Sequence, residues 1–258
     1  MVRPEGGIGM KLQGKVAIVT GAGRGIGRAY AHALAREGAA VVVAEINREN
    51  GESVTEEIKD GHGKSLFVHV DVSNEQSTLA MAKAAADAFG GIDILVNNAA
   101  LFGDMERFDL LTGSMDYWRR FMSVNLEGVL LCTRAVVPYM RKRGGGKIIN
   151  QSSRASYEGA GMYGAAKLAV NSLTVSFAKQ LGAWNINVNG IAPGSVLTEA
   201  NLKVAGENTV EARRQLTALK RLAQPEDLGG LVVFLSSADS DWITGQTIVI
   251  DGGQLMLP

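Results

Sequence analysis

Short runs of β-branched and other apolar residues alternate with longer segments of helical character along the chain. Seven such runs predict strands, at residues 15–20, 39–46, 65–72, 92–99, 147–153, 186–194 and 247–253. The segments between them predict helices, including a long helical region over about 113–143 in which Pro138 predicts a kink or break. Strands that alternate with helices indicate βαβ units.

The apolar strands also predict how the sheet is covered. Runs such as "AIV" and "VVV" are continuously apolar, which is typical of parallel strands buried on both faces. We found no linker, repeat or low-complexity block. We therefore predict an α/β protein with a seven-stranded, mostly parallel sheet and helices on both faces. It forms a single doubly wound domain over 12–258, preceded by a flexible lead-in over 1–11.

Composition and charge narrow the classes of partner. Of the 258 residues, 46% are hydrophobic and 20% are charged, as in globular proteins with a large core. Lys plus Arg and Asp plus Glu both number 26, so we expect neither nucleic acid nor an anionic membrane as partner. No apolar run approaches the length of a membrane span.

The metal-binding and redox residue types are sparse. The single cysteine, Cys132, lies in the apolar run "GVLLCTRAVV", which predicts a buried thiol and fits a reducing, cytoplasmic location. The three histidines have no ligand-like spacing, so we expect no metal site.

A glycine-rich turn follows the first predicted strand. In "TGAGRGIG", residues 20–27, Gly21, Gly25 and Gly27 follow a G-x-x-x-G-x-G spacing rather than the usual G-x-G-x-x-G. A tight turn between a strand and a helix brings backbone N–H groups and the positive helix end to a pyrophosphate, although a glycine turn can also bind nothing. The candidate dinucleotide-binding residues here are Gly21, Arg24, Gly25, Ile26 and Gly27.

The second strand ends at Glu45, where a carboxylate can accept hydrogen bonds from the ribose 2′-OH of NAD and repel the 2′-phosphate of NADP. The next residue, Ile46, offers no base for that phosphate. Arg24 and, more weakly, Arg48 argue for NADP, so NADP remains possible while NAD is favoured. Glu45 could also be a solvated carboxylate at a strand end.

Two further strand ends complete a predicted rim, because ligands of such sheets bind outside the carboxyl ends of the strands. The third strand ends at Asp71-Val72 and the fourth ends in "NNAA", residues 97–100. We expect Asp71, Val72, Asn98 and Ala99 to contact the cofactor.

Tyr163 and Lys167 stand four positions apart in the Ala-rich helical run "MYGAAKLAV". They share a helix face, so the ammonium is expected to lower the pKa of the tyrosine and allow proton exchange near neutral pH. An incidental surface pair is the alternative.

Six short motifs resemble, in order and rough spacing over about 12–254, those of the short-chain dehydrogenase/reductases. They are "TGAGRGIG", "NNAA", "VN" at 124–125, "SS" at 152–153, "YGAAK" at 163–167 and "APGSVLT" at 192–198. The resemblance implies a Rossmann-type fold with Tyr163 as general acid/base. Lys167 would hydrogen-bond the nicotinamide ribose, Ser153 would orient the substrate oxygen, and Asn125 would hold a water that links Lys167 to solvent. Tyr163 and Lys167 would also contact the cofactor.

The chain departs from the family pattern in two places. Ala100 replaces a glycine, so its methyl group could crowd the cofactor or require a negative φ. Tyr163 lies only ten positions after Ser153, a shorter interval than the family's usual loop, which leaves Ser152 as an alternative catalytic serine.

The resemblance also assigns the segment after the sixth strand. Pro193 and Gly194 would shape the turn at the nicotinamide, Val196 would offer backbone groups to its carboxamide, and Thr198 would reach the phosphates. The polar stretch of about 197–222 would form a mobile lid, or equally a plain pair of surface helices. The weaker substrate-pocket candidates are Leu101, Phe102, Arg154, Met162 and Ser195. Arg154 could bind a carboxylate or phosphate, or point to solvent.

The sequence thus predicts an NAD-dependent oxidoreductase that interconverts a secondary alcohol and a ketone, with a small-molecule substrate. An NADPH-dependent 3-oxoacyl reductase is the alternative, and a non-catalytic dinucleotide-binding protein is a third. The family resemblance and the apolar C-terminal stretch "WITGQTIVIDGGQLMLP" favour a homotetramer, although Trp242 and Ile243 could instead pack in the core.

Overall fold

The described residues are built around a seven-stranded parallel sheet. The computed structural model describes residues 10–205 and 208–256. The strands are β1 (Val16–Thr20), β2 (Ala40–Glu45), β3 (Ser65–His69), β4 (Ile94–Asn97), β5 (Gly146–Gln151), β6 (Ile186–Pro193) and β7 (Thr247–Ile250). Their order is β3-β2-β1-β4-β5-β6-β7, and every neighbouring pair is parallel. The predicted doubly wound α/β architecture is confirmed.

Nine α-helices lie in the described part of the chain. They are α1 (Gly25–Arg36), α2 (Arg48–Asp60), α3 (Glu75–Phe89), α4 (Met115–Met122), α5 (Gly128–Lys142), α6 (Gly161–Leu181), α7 (Glu199–Ala205), α8 (Asn208–Leu216) and α9 (Gly229–Ser236). Helices α1, α2 and α9 pack on one face of the sheet, and α3, α5 and α6 pack on the other.

The apolar runs form strands because both faces of the sheet are buried. Neighbouring residues of β1 point to opposite faces, and each is fully buried in a different core. Val19 packs in the cluster that contains Tyr30 of α1, whereas Ile18 packs in the cluster that contains Met81 of α3. A strand without polar alternation is stable only in such a two-sided environment.

The strands are shorter than predicted at their carboxyl ends. β3 stops at His69, β4 at Asn97 and β5 at Gln151, so the polar residues that follow them lie in loops. These loops leave the ladder and turn their side chains toward the edge of the sheet, where the candidate site lies.

The long helical region of 113–143 is interrupted at a different point from the one predicted. α5 continues through Pro138, and the irregularity is a π-helical turn at Ser123–Glu127. Proline removes the hydrogen bond to the carbonyl of residue 134, but both Pro138 and Arg134 are exposed, so water can satisfy that carbonyl.

Two regions bear on the predictions about a membrane span and about the N-terminal lead-in. The run Met115–Lys142 is the one described helix long and apolar enough to cross a membrane by length and composition alone. Its residues Cys132, Val136 and Met140 are buried in the protein core, which accounts for its apolar character. Of the predicted lead-in, residues 1–9 lie outside the described part, whereas Lys11 hydrogen-bonds Glu37 and belongs to the packed chain.

Candidate active site

A cavity of about 780 Å³ opens at the carboxyl edge of the sheet. Nearly all of the residues predicted for cofactor, catalysis and substrate line it. They are Gly21, Arg24, Gly25, Ile26, Gly27, Glu45, Asp71, Val72, Asn98, Ala99, Leu101, Phe102, Ser153, Arg154, Tyr163, Lys167, Pro193, Gly194, Ser195, Val196 and Thr198. Among the predicted residues, Asn125 and Met162 do not line it.

The glycine turn is a cradle in which Gly21 and Gly27 leave no room for a side chain. A Cβ on Gly27 would lie 2.1 Å from the carbonyl oxygen of Gly21 and 2.5 Å from Nδ2 of Asn98. Gly21 itself has φ +63°, a left-handed conformation that favours glycine. The turn therefore approaches the start of α1 more closely than any other residue type would allow.

Helix α1 presents a free N-terminus to this cavity. Its N-cap residue, Arg24, is extended and makes no side-chain capping bond, and the first turn carries no acidic residue. The backbone N–H groups of that turn and the positive end of the helix dipole therefore face the cavity without a competing carboxylate. Thr198 packs against Gly25, with its Cγ2 3.4 Å from where a Cβ would stand. This geometry fits a pyrophosphate.

The Glu45 carboxylate is fixed at the end of β2 by three backbone donors. Its Oε1 accepts from the N–H groups of Ile46 and Asn47, each at 3.0 Å, and its Oε2 accepts from that of Gly23 at 3.0 Å. A carboxylate offers about four lone-pair positions, so one on Oε2 stays available to a further donor such as a ribose hydroxyl. Glu45 is thus an ordered acceptor rather than a solvated strand-end carboxylate.

Arg24, the residue that argued for NADP, is turned toward the opposite wall of the cleft. Its guanidinium lies 3.8 Å from the carboxylate of Asp104, which also pairs with Lys203 of α7. Lys203 holds the pKa of the Asp104 carboxyl below its ordinary value, mainly through their hydrogen bond. A loop after β4 and the helix α7 are therefore linked by charge above the glycine turn.

Tyr163, Ser153 and Lys167 converge on the cavity from α6 and the end of β5. The Ser153 hydroxyl lies near enough to the phenol of Tyr163 to favour its ionised form, which lowers the pKa. Lys167 is 2% exposed, and its Nζ donates to the carbonyl of Gln151 at 2.8 Å and lies 5.8 Å from the Tyr163 ring centroid. The one-turn spacing on α6 thus produces the shared face that the sequence predicted.

The predicted lowering of the tyrosine pKa is wrong for this geometry. Burial raises the pKa of Tyr163 to about 12, although the nearby Ser153 hydroxyl acts in the opposite direction. Burial also lowers the pKa of Lys167 to about 8. Loss of water around the phenol outweighs the ammonium's attraction, because that ammonium is directed at a backbone carbonyl.

The two neighbouring serines have different surroundings. Ser152 is 1% exposed, and its hydroxyl donates to the backbone carbonyl of Lys167 at 3.4 Å. Ser153 is partly exposed and faces Tyr163. The short interval to Tyr163 is accommodated by a 3₁₀ turn at Arg154–Tyr157 and by Gly159 and Gly161, both at positive φ.

Asn125 lies in the π-helical turn, behind the cavity wall. It is 1% exposed, and its Nδ2 donates to the carbonyls of Phe121 at 3.0 Å and Leu101 at 3.5 Å. Its Oδ1 is buried without a hydrogen-bond partner in the described structure. A buried acceptor of this kind is costly unless water satisfies it, which fits the water-holding role implied by the family.

Some predictions about individual side chains need correction. Met162 is 3% exposed and packs against Phe121 and Ala166 in a core cluster, because it follows Gly161 on the inner face of α6. It is therefore not a pocket residue. Ala100 has a negative φ and borders the cavity without backbone strain.

Several charged and polar cavity residues were missed by the sequence analysis because no motif marks them. They are Asp104, Arg120, Glu158, Glu199, Asn201 and Arg213. Three of them, Glu199, Asn201 and Arg213, belong to the predicted lid. Asn201 anchors the lid, because its Nδ2 donates to the carbonyl of Val196 at 2.8 Å. These residues are far apart in the sequence and reach the cavity only through the tertiary structure.

Replacing Gly27 with alanine should disable the cradle. The new Cβ would overlap the Gly21 carbonyl, so we expect dinucleotide binding at least tenfold weaker and a loss of about 1–3 kcal/mol of stability from the forced shift. Titration of nicotinamide fluorescence and urea unfolding measure the two effects. Gly230→Ala in α9 is the control, because nothing lies within 4 Å of its Cβ position. Equal dinucleotide binding by Gly27→Ala would contradict the cradle.

Comparison with known proteins agrees with this geometry. A family model described as enoyl-(acyl carrier protein) reductase matches residues 21–254. An uncharacterized oxidoreductase of Mycobacterium tuberculosis is 52% identical over 242 residues, which cover 94% of this chain and 98% of that protein. The 7α-hydroxysteroid dehydrogenase of Escherichia coli is 37% identical over 247 residues, 95% of each chain.

A solved structure of 7α-hydroxysteroid dehydrogenase, complexed with NADH and 7-oxo glycochenodeoxycholic acid, matches the fold. The TM-score is 0.89 at 37% identity, and the match covers 95% of both chains. Since the family model spans nearly the whole chain and the relatives align from end to end, this chain belongs to the short-chain dehydrogenase/reductases, a family of oxidoreductases that bind a nicotinamide dinucleotide.

Proposed function

We propose that this protein is an NAD-dependent oxidoreductase that interconverts a secondary alcohol and a ketone. The observation that carries the proposal is the convergence of Ser153, Tyr163 and Lys167 on a cavity that also contains the glycine cradle. A non-catalytic dinucleotide-binding protein would have no need for a buried lysine beside a buried phenol.

Proton transfer is assigned to Tyr163. Because burial keeps the pKa of its phenol near 12, the hydroxyl is protonated at neutral pH and can donate to the carbonyl oxygen of a ketone. In alcohol oxidation the same oxygen takes the hydroxyl proton, and the positive charge of Lys167 favours the phenolate this requires. Ser153 hydrogen-bonds the substrate oxygen, and Asn125 holds a water behind Lys167.

The cofactor's place follows from the cradle and the strand ends. When bound, a nicotinamide dinucleotide supplies or accepts the hydride. The start of α1 would hold the pyrophosphate, Glu45 the adenosine ribose, and Pro193 to Val196 the nicotinamide end. The NADH in the 7α-hydroxysteroid dehydrogenase structure, and its 7-oxo steroid acid, support the same class of reaction.

Tyr163→Phe should lower kcat by about 10²–10⁴-fold, the usual contribution of a positioned general acid/base. The change removes one hydroxyl while the ring and its contact with Phe102 remain, so NADH binding should persist. The assay is NAD-coupled oxidation of a panel of secondary alcohols. Tyr157→Phe is the matched control, because Tyr157 is 37% exposed and does not line the cavity. Undiminished turnover by Tyr163→Phe would contradict the assignment of Tyr163 as the general acid/base.

Cofactor preference is assigned to Glu45. We expect NADH to bind at least tenfold more tightly than NADPH, about 1.4 kcal/mol, and Glu45→Gln to reduce that ratio by relieving repulsion of the 2′-phosphate. The ratio of the two dissociation constants cancels any general loss of binding. Glu49→Gln, an exposed change in the first turn of α2, is the control. Tighter NADPH binding by the unaltered protein would favour the 3-oxoacyl reductase alternative through Arg24.

The proposed homotetramer is supported by Trp242, which is 99% exposed and therefore does not pack in the core of this chain. An indole left in water is a strong candidate for burial between subunits. Sedimentation velocity should give four times the chain mass of 27.3 kDa, and Trp242→Ser should shift the protein to smaller species at micromolar concentration. Trp184→Ser is the control, since Arg141 already covers that ring at 4.0 Å. A tetramer unaffected by Trp242→Ser would place the interface elsewhere.

A further inference from the structure

Two arginines from separate elements face the substrate end of the cavity. Arg154 follows Ser153 directly and begins the 3₁₀ turn after β5, whereas Arg213 lies on α8 in the predicted lid. Both line the same cavity. Like charges seldom meet in a partly buried place unless a counter-charge accompanies them.

Arg154 carries an unsatisfied donor. Its side chain is 19% exposed, and one terminal nitrogen pairs with Glu158. Its Nε is buried and has no hydrogen-bond partner in the described structure. A buried guanidinium N–H that lacks an acceptor is unfavourable, so the site is incomplete until an acceptor enters.

Arg213 is held in position by the lid itself. Its NH1 donates to Oδ1 of Asn201 at 2.7 Å, and Asn201 donates from Nδ2 to the carbonyl of Val196. Burial lowers the pKa of Arg213, and the positive charge of Arg154 lowers it further. The two like charges thus line one cavity, where they disfavour each other.

The remaining walls limit what can lie between these arginines. Leu101, Phe102 and Val204 line the cavity with apolar surface, and the Phe102 ring lies 5.1 Å from that of Tyr163. Glu158 offsets one of the two guanidinium charges, so a single net positive charge remains at the pair. That balance suits a monoanion better than a phosphate dianion. Among the other charged residues of the cavity, Arg24 pairs with Asp104, and Lys167 donates to a backbone carbonyl. Arg120 and Glu199 are of opposite sign, and the carboxylates of Glu45, at the end of β2, and Asp71, after β3, lie at the cofactor end.

We propose that the alcohol substrate carries a carboxylate, which Arg154 and Arg213 bind together, and that this contact holds the lid helix α8 over the reacting carbon. The proposal rests on the proposed function and names its substrate class. A planar carboxylate matches the fork of a guanidinium and can accept from both arginines at once. The apolar walls then contact the hydrocarbon body between the carboxylate and the hydroxyl.

The test compares two substrates of the same shape and different charge, 4-hydroxycyclohexanecarboxylate and 4-hydroxycyclohexanecarboxamide. We expect kcat/KM for the acid to exceed that for the amide at least tenfold. Arg154→Gln and Arg213→Gln should each remove most of that advantage by raising KM for the acid, with little change for the amide. Arg214→Gln is the matched control, because Arg214 is exposed, pairs with Glu211 and does not line the cavity.

A binding measurement separates this proposal from the proposed function. Cyclohexanecarboxylate has no hydroxyl to oxidise, so calorimetric titration, with and without NADH, reports the anion site alone. Arg213→Gln should weaken its binding at least tenfold. Glu158→Gln should strengthen it, because Arg154 loses a competing carboxylate; a purely structural ion pair would give no such gain.

Each outcome decides one proposal. Equal kcat/KM for acid and amide, or equal loss of both in Arg213→Gln, would overturn the carboxylate assignment and leave the alcohol dehydrogenase intact. Turnover of neither alcohol together with calorimetric binding of cyclohexanecarboxylate would support the anion site and count against the proposed reaction. Absence of calorimetric binding would overturn the anion site.

Discussion

Side-chain hydrogen bonds of Thr20 and Asn98 join the ends of β1 and β4, and the cleft depends on them. The hydroxyl of Thr20 accepts from the backbone N–H groups of Asn98 and Ala99, and Nδ2 of Asn98 donates to the carbonyls of Thr20 and Gly21. These two strands are neighbours where the chain changes direction across the sheet, which is where such folds bind ligands. This link holds the carbonyl of Gly21 beside the end of β4, at the point where the glycine turn leads into α1.

Polar groups near the proposed catalytic residues are buried at an energetic cost. Lys167 is almost fully enclosed and has a backbone carbonyl as its hydrogen-bond partner, and Oδ1 of Asn125 has no partner in the described structure. A stable fold normally satisfies buried polar groups, so their concentration beside Tyr163 indicates that the surroundings were shaped for a bound ligand rather than for stability. The π-helical turn that carries Asn125 fits this view, since such turns are frequent at functional sites.

Recognition and chemistry share one short segment. Ser153 lies just after the end of β5, and Arg154 is the next residue along the chain, so the group proposed to orient the substrate oxygen and the group proposed to bind its carboxylate are fixed together. The lid contributes Arg213 from the other side. A substrate that spans both groups is held at two points, which restricts its orientation relative to Tyr163. Under the two proposals, the fold couples substrate choice to the geometry of proton transfer.

The sequence by itself determined the architecture and the core of the site. Continuous apolar runs specify strands covered on both faces, the glycines of the turn at 20–27 indicate a tight strand-to-helix turn, and one helical turn brings Tyr163 and Lys167 to one face, because each of these follows from local geometry. The tertiary structure decided what depends on burial and on distant contacts. Loss of water around the phenol raises the pKa of Tyr163, which spacing alone could not reveal. The packing of α6 likewise buries the side chain of Met162 in the core. Arg213, 59 positions from Arg154 along the chain, reaches the same cavity because α8 folds back over the carboxyl edge of the sheet.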